Sequence, residues 1–180
     1  ICKNWEFHFK ACKNRHCPQC GAFEKAQWLE DQKKWILPIH YFHVVFTIDH
    51  VFNDLVAFNQ KMLFNLFIDT AAQLLKEFGQ KYLGGEIGFS MVMHTWGQTM
   101  QEHLHIHFIV TGGALVSSPT GYSWNPADHQ FLFPVKLLSN MFRNRFCSEI
   151  SNLWADGKLN THDGRLDIQA MLSSALSKDW

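Results

Sequence analysis

A chain of 180 residues, 47% of them hydrophobic, is long and apolar enough for one ordinary domain plus a small appendage. Sixteen basic residues balance sixteen acidic ones, which excludes nucleic-acid binding through overall charge, so any DNA-binding face must be local. No apolar run reaches the length of a membrane span and no N-terminal signal pattern is visible, so no membrane partner is expected. Sixteen Phe and seven Trp are expected mostly in the core, with stacking on unpaired bases as their other use.

Four of the five cysteines, Cys2, Cys12, Cys17 and Cys20, crowd into the first twenty residues. That is metal spacing rather than a disulfide framework, and it points to a reducing, cytoplasmic compartment. Cys17-Pro18-Gln19-Cys20 is a CxxC knuckle whose two thiolates can share one tetrahedral Zn2+, with a second pair completing the shell. Cys2 and Cys12 are the available partners, although ten residues is a wide spacing for a pair. The alternative is reduced structural cysteines without metal. Lys13 and Arg15, among the thiols, suit phosphate contact or a solvated face.

Residues 21 to about 36 read as a helix stopped by Pro38. Residues 40–48 are β-branched and aromatic and read as a buried strand, with His43 a core or supporting histidine. Asn53 or Asp54 is expected to cap one long helix to Phe78, ended by Gly79, with Leu55, Phe58, Met62, Leu66, Ile68 and Leu75 on its packing stripe. Residues 86–96 form the next strand, and a short turn through Gly97, Gln98 and Thr99 leads into the segment that organises the chain.

That segment is Gln101-Glu102-His103-Leu104-His105-Ile106-His107-Phe108-Ile109-Val110-Thr111-Gly112-Gly113. Period-two alternation places His103, His105 and His107 on one strand face and Leu104, Ile106 and Phe108 on the other. Aligned imidazoles can converge on a divalent cation or a phosphate. His94, on the hairpin partner strand, is the third-ligand candidate, with His103, Gln98 and Glu102 as alternatives, because register is not readable from letters. The bland alternative is a solvated polar face. Two sharper ones fit the letters equally: the HUH nuclease pair and the histidine-triad nucleotide hydrolase motif.

After Gly112-Gly113, residues 114–130 read as loop, Phe131–Phe133 as a short strand, and Val135 to about Trp154 as an amphipathic helix. Lys136, Arg143 and Arg145 on that helix are candidate phosphate contacts. A last helix runs from about Asp167 to Ser177. The chain opens at Ile1-Cys2 without Met and closes at Trp180 straight after a helical stretch, so both ends read as cut.

Order along the chain separates the alternatives. The run from Ala11 to Cys20 resembles the zinc knuckle of rolling-circle insertion-sequence transposases of the IS91 type, and Tyr41-Phe42-His43-Val44-Val45-Phe46-Thr47 is similar to their first strand. Tyr82-Leu83-Gly84-Gly85-Glu86-Ile87-Gly88-Phe89 and His94-Thr95-Trp96-Gly97-Gln98 also match in order, and His103-Leu104-His105-Ile106-His107 resembles their HUH block. The resemblance implies an α+β fold: an HUH-type antiparallel sheet with the histidine strand central and helices packed on it, preceded by a small zinc-knuckle module. It implies a zinc module with its linking helix at 1–37 and a nuclease core at 38–180. It implies a DNA endonuclease and strand transferase in transposition, acting on single-stranded or hairpin DNA at element ends in a prokaryotic cell, through a 5′-phosphotyrosine. His105 and His107 would hold Mg2+ or Mn2+; Cys17 and Cys20 would hold Zn2+, with Cys2 the last member of an upstream pair. The resemblance places the family's nucleophilic tyrosines beyond Trp180. Tyr41, Tyr82 and Tyr122 are the tyrosines present, and none falls on the expected C-terminal helix, so the core is expected to lack that helix. A zinc-ribbon DNA-binding protein with a vestigial nuclease core is the second reading, and a histidine-triad nucleotide hydrolase the third.

Overall fold

A computed structural model describes residues 12, 17–97, 102–178 and 180. The chain divides into two compact units, Ile1–Pro38 and Ile39–Trp180.

Within the first unit, helix α1 spans Pro18–Lys33. Pro18 occupies its first turn, where the missing N–H is no loss. Lys33 and Lys34 reach back to Glu30 and Asp31 at 2.5 and 2.7 Å, which are solvent-exposed pairs of small value.

The second unit is α+β, an antiparallel sheet with helices packed on it. Its elements are β1 (Tyr41–Thr47), a short 3-10 turn at His50–Phe52, α2 (Asn53–Phe58), α3 (Gln60–Phe78), β2 (Phe89–Trp96), β3 (Glu102–Thr111), β4 (Gly113–Ser118), β5 (Gly121–Pro126), α4 (Val135–Ala155) and α5 (Ile168–Leu176). The main sheet has the order β1-β3-β2, all antiparallel, so the histidine strand is central. Opposed residues share a face, and the register therefore sorts the side chains. Leu104, Ile106, Phe108 and Val110 are buried on one face. Facing them across the core are Phe67, Phe142 and Phe146, and the rings meet edge-on: Phe46 lies 5.6 Å from Phe108 and 4.9 Å from Phe142. Fully burying such side chains contributes roughly 1.5–3 kcal/mol each. Much of the aromatic load is therefore core, as the composition suggests.

The structure differs from the sequence expectation in several places. The long helix from residue 53 is broken at Asn59, whose φ is -132°. Its carboxamide donates to Leu55 O at 2.8 Å and Asn160 O at 2.9 Å and accepts from the Asn160 N–H at 2.8 Å. The break shifts the helical phase. The stripe that packs is Leu63, Phe67, Thr70, Ala71, Leu74, Leu75 and Phe78, while Phe58 and Met62, expected inside, are exposed. Neither Asn53 nor Asp54 is the cap: Phe52 stands at the N-cap of α2 without a side-chain hydrogen bond, and Asp49 caps the preceding 3-10 turn by accepting from the Val51 N–H at 2.9 Å. The α-helix ends at Phe78 with Gly79 at its C-cap, as expected, and a π turn then runs over Gly79–Leu83 and stops at Gly84 with φ 69°.

The 114–130 stretch is not loop but the hairpin β4–β5, in which Ser118 pairs with Gly121 around Pro119-Thr120. Its turn residues dominate the composition, and β5 is exposed along its whole length, so no alternation betrays it. Residues 131–133 form no strand among the described residues; Asp128 and Phe131 make an isolated bridge.

Gly112 joins the sheet to this hairpin. Its N–H donates to His40 O at 2.7 Å, and a Cβ there would lie 2.7 Å from His40 O and 3.1 Å from His40 C. Backbone on both sides cannot give way, so Gly112→Ala is expected to destabilise by about 1–3 kcal/mol. A thermal melt would register this as a drop of roughly 2–4 °C per kcal/mol, and an unchanged midpoint would mean that the two strands are not in this contact.

Candidate metal centre on the sheet

The face of the main sheet opposite the core is exposed and carries the histidines. His94 and His105 are direct partners in register, and Val92, His107 and Val45 form the next row. The ligating atoms of His94, His105 and His107 all lie within 4.8 Å of one another. Their rings are 5.1 Å (His94–His105), 4.8 Å (His94–His107) and 4.9 Å (His105–His107) apart. Three half-buried imidazoles at this spacing are a donor set that a divalent first-row ion fits, with positions left open to solvent.

The ring chemistry is oriented. The His105 Nδ1 lies 2.9 Å from the His103 carbonyl oxygen, which can only accept, so Nδ1 carries the hydrogen and Nε2 keeps the free lone pair. The His107 Nδ1 meets His43 Nε2 at 2.8 Å. Removal from water, then the neighbouring rings of His105, His94 and His43, hold the His107 imidazole below its ordinary pKa. That favours the neutral form a metal requires. Trp96 lies parallel to His94, 6.3 Å away at 9°, and with Gly97 and His103 it completes a shallow pocket over the three histidines.

The other third-ligand candidates fall elsewhere. Glu102 lines a cleft with Asn53, Val56 and Leu104, and its backbone oxygen accepts from Asn53 at 3.1 Å. His103 borders the pocket but is outside the converging three. Gln98 lies outside the described residues. No tyrosine lines the pocket: Tyr41 is half-buried on β1, Tyr82 sits in the π turn, and Tyr122, expected in a loop, is exposed on strand β5. His43, read as a core or supporting histidine, is exposed beside His107.

In the first unit the sulfurs of Cys12, Cys17 and Cys20 converge within 4.8 Å. Cys12 and Cys20 are 3.7 Å apart, close to the ~3.8 Å edge of a tetrahedron built on Zn–S bonds of about 2.3 Å. The donors therefore fit Zn2+. Hydrogen bonds to the Cys17 sulfur, from the Cys20 backbone first, then the Cys12 thiol and the Gln19 backbone, bring its thiol down to about 7. Cys17 also caps the N-terminus of α1, a setting that favours the thiolate. Cys2, Lys13 and Arg15 lie outside the described residues.

The structure gives two of the α4 cations intramolecular work. Arg145 makes a two-pronged pair with Glu77 at 2.7 Å on both arms, tying α4 to α3 and holding the Glu77 carboxyl below its usual range. Such a partly exposed pair is worth about 1 kcal/mol at most. Arg143 donates to the Lys178 backbone oxygen at the end of α5. Lys136 alone of the three is exposed without such a partner among the described residues.

Comparison with known proteins gives the following. Residues 88–180 match the family described as "Putative transposase", and residues 1–48 match the transposase zinc-binding domain of IS91 type. "Putative transposase y4qJ" of Sinorhizobium fredii (strain NBRC 101917 / NGR234) is 37% identical over 160 residues, 88% of this chain and 40% of that protein. The "Transposase for insertion sequence element IS801" of Pseudomonas savastanoi pv. phaseolicola is 30% identical over 114 residues, 63% of this chain and 27% of that protein. The chain thus spans well under half the length of these curated relatives. A solved structure, TrwC complexed with a 27-mer DNA comprising the recognition hairpin and the cleavage site, overlays with a TM-score of 0.45 at 11% identity, over 62% of this chain and 44% of that one. No helix of the described residues is long and apolar enough to cross a membrane.

Proposed function

We propose, from the premise that this chain belongs to the transposase family with an IS91-type zinc-binding domain, that its histidine face is the metal-holding part of a single-stranded DNA endonuclease and strand-transfer centre of the HUH kind. The observation that carries this is the convergence of His94, His105 and His107 on an open sheet face. A divalent cation bound there, Mg2+ or Mn2+, would act as a Lewis acid on a phosphate oxygen and offset the charge that develops on it.

The residues themselves do the positioning. His105 is held by the His103 carbonyl on its Nδ1, which leaves the Nε2 lone pair free to ligate. The flat, exposed surround of Val45, Val92 and Ile109 on the same face offers room for an extended strand. Exposed Trp96 at the pocket rim offers a face on which an unpaired base can stack, worth roughly 1–3 kcal/mol per base. In the reaction a tyrosine hydroxyl attacks the phosphorus, the P–O3′ bond breaks, a 5′-phosphotyrosine forms and a 3′-hydroxyl leaves. That hydroxyl can later attack a phosphotyrosine and rejoin strands without ATP. Because no tyrosine lines the pocket, the nucleophile must be brought to it. The Zn2+ module adds a second contact to DNA or to protein.

The test uses labelled single-stranded DNA carrying a hairpin end, Mn2+ and a denaturing protein gel. The 180-residue chain is run beside a chimera in which it replaces the matching segment of the 37%-identical relative. A covalent protein–DNA band from the chimera is expected. A band from the 180-residue chain alone would put the nucleophile on Tyr41, Tyr82 or Tyr122. DNA retention with no band from either protein would overturn the nuclease reading in favour of a binding protein.

A further inference from the structure

His43 is a polar residue on an exposed sheet face with no packing role. Its neighbours on β1, Phe42, Val44 and Phe46, point to the core, and His43 points to solvent. In register it lies opposite Ile109, which makes it the diagonal neighbour of His107 on the same face. The two rings are 5.0 Å apart and 8° from parallel, and His43 Nε2 meets His107 Nδ1 at 2.8 Å.

We propose that His43 is a positioning residue for His107: it accepts the His107 Nδ1–H and so commits His107 Nε2 to the ion. The inference rests on the metal site proposed above. A neutral imidazole has one N–H and one lone pair, so a hydrogen shared between two rings can run in either sense. If His43 donates, His107 must carry its hydrogen on Nε2 and has no lone pair to offer. If His107 donates, its Nε2 is free, and His43 carries its own hydrogen on Nδ1. Only the second arrangement can ligate, and the hydrogen bond then also strengthens His107 as a donor. His105 reaches the same tautomer through the His103 carbonyl. Each strand-β3 ligand thus has an acceptor behind it, one from the backbone and one from the neighbouring strand.

The experiment is calorimetric titration of the zinc-loaded chain with Mn2+, with Co2+ absorption in parallel. The proteins are wild type, His43→Leu, His43→Gln and His105→Ala/His107→Ala. His43→Leu removes the acceptor and should weaken Mn2+ binding by roughly 10- to 100-fold and shift the Co2+ bands. His43→Gln keeps an acceptor oxygen and should recover most of both. All four should melt together, because the side chains changed are on the solvent face. Wild-type affinity in His43→Leu, with binding lost in the double variant, would overturn the positioning role and leave the metal site standing. A loss that His43→Gln shares in full would also overturn it. Wild-type protein binding no better than the double variant would remove the metal site itself, and the role of His43 with it.

Discussion

Replacing His105 and His107 together by Ala in the chimera is expected to lower covalent adduct formation by about 10³-fold, the equivalent of roughly 4 kcal/mol of transition-state stabilisation. The fold should be untouched. Both imidazoles are half-exposed, and their strand is held from the other side by Leu104, Ile106 and Phe108, which are 5%, 0% and 0% exposed. Function and stability therefore separate on a single strand by parity of position. Phe108→Ala supplies the contrast. It empties a site ringed by Phe46 and Phe89 and should cost about 3–5 kcal/mol of stability, with activity falling only as folded protein is lost. The pair of measurements is the initial rate of adduct formation and the thermal midpoint. A double histidine variant that still forms adduct at the wild-type rate would place the chemistry away from this face. One that loses its fold along with its activity would show that the rings are structural.

The histidine strand was legible because its alternation encodes two unlike faces within ten residues, and the structure puts those faces where period two requires. What surrounds the strand was less legible, for reasons that are local and physical. The convergence of His94 depends on register, and a bulge lies between His94 and Trp96; a slip of one residue would have turned His94 to the core. His43 gave no sign of its contact, because its partner is 64 residues away and its immediate neighbours are apolar. The one signal available was parity: His43, Val45 and Thr47 share a face once β1 is paired with β3. The break at Asn59 was hidden because its partner, the backbone of Asn160, is 101 residues distant, and apolar residues keep helical spacing on both sides of it. Arg143 and Arg145 read as free cations because sequence shows a charge but not its partner; Glu77 answers one of them from another helix.

Loss of zinc is expected to have the largest effect on the first unit and none on the second. Helix α1 has 16 residues, a length at which an isolated helix in water is marginal. None of its described side chains is buried, and Phe23, Trp28 and Leu29 are 73%, 53% and 43% exposed. Packing therefore does not hold it. What fixes its start is Cys17 at the cap, with Cys20 one turn on and Cys12 3.7 Å from Cys20. A metal on those sulfurs couples binding to folding, and for structural Zn2+ the apparent free energy is about 10–16 kcal/mol. Cys20→Ala, or removal of the ion with a chelator, should therefore abolish stoichiometric zinc and melt α1. Circular dichroism would show a loss of helix equivalent to about its length, while the cooperative melt of residues 39–180 keeps its midpoint, because that unit carries its own core of Phe52, Phe67, Phe108, Phe142 and Phe146. Retention of the full helical signal without zinc would mean that α1 is held by contacts other than the metal. A midpoint that falls for the second unit would mean that the two units fold as one.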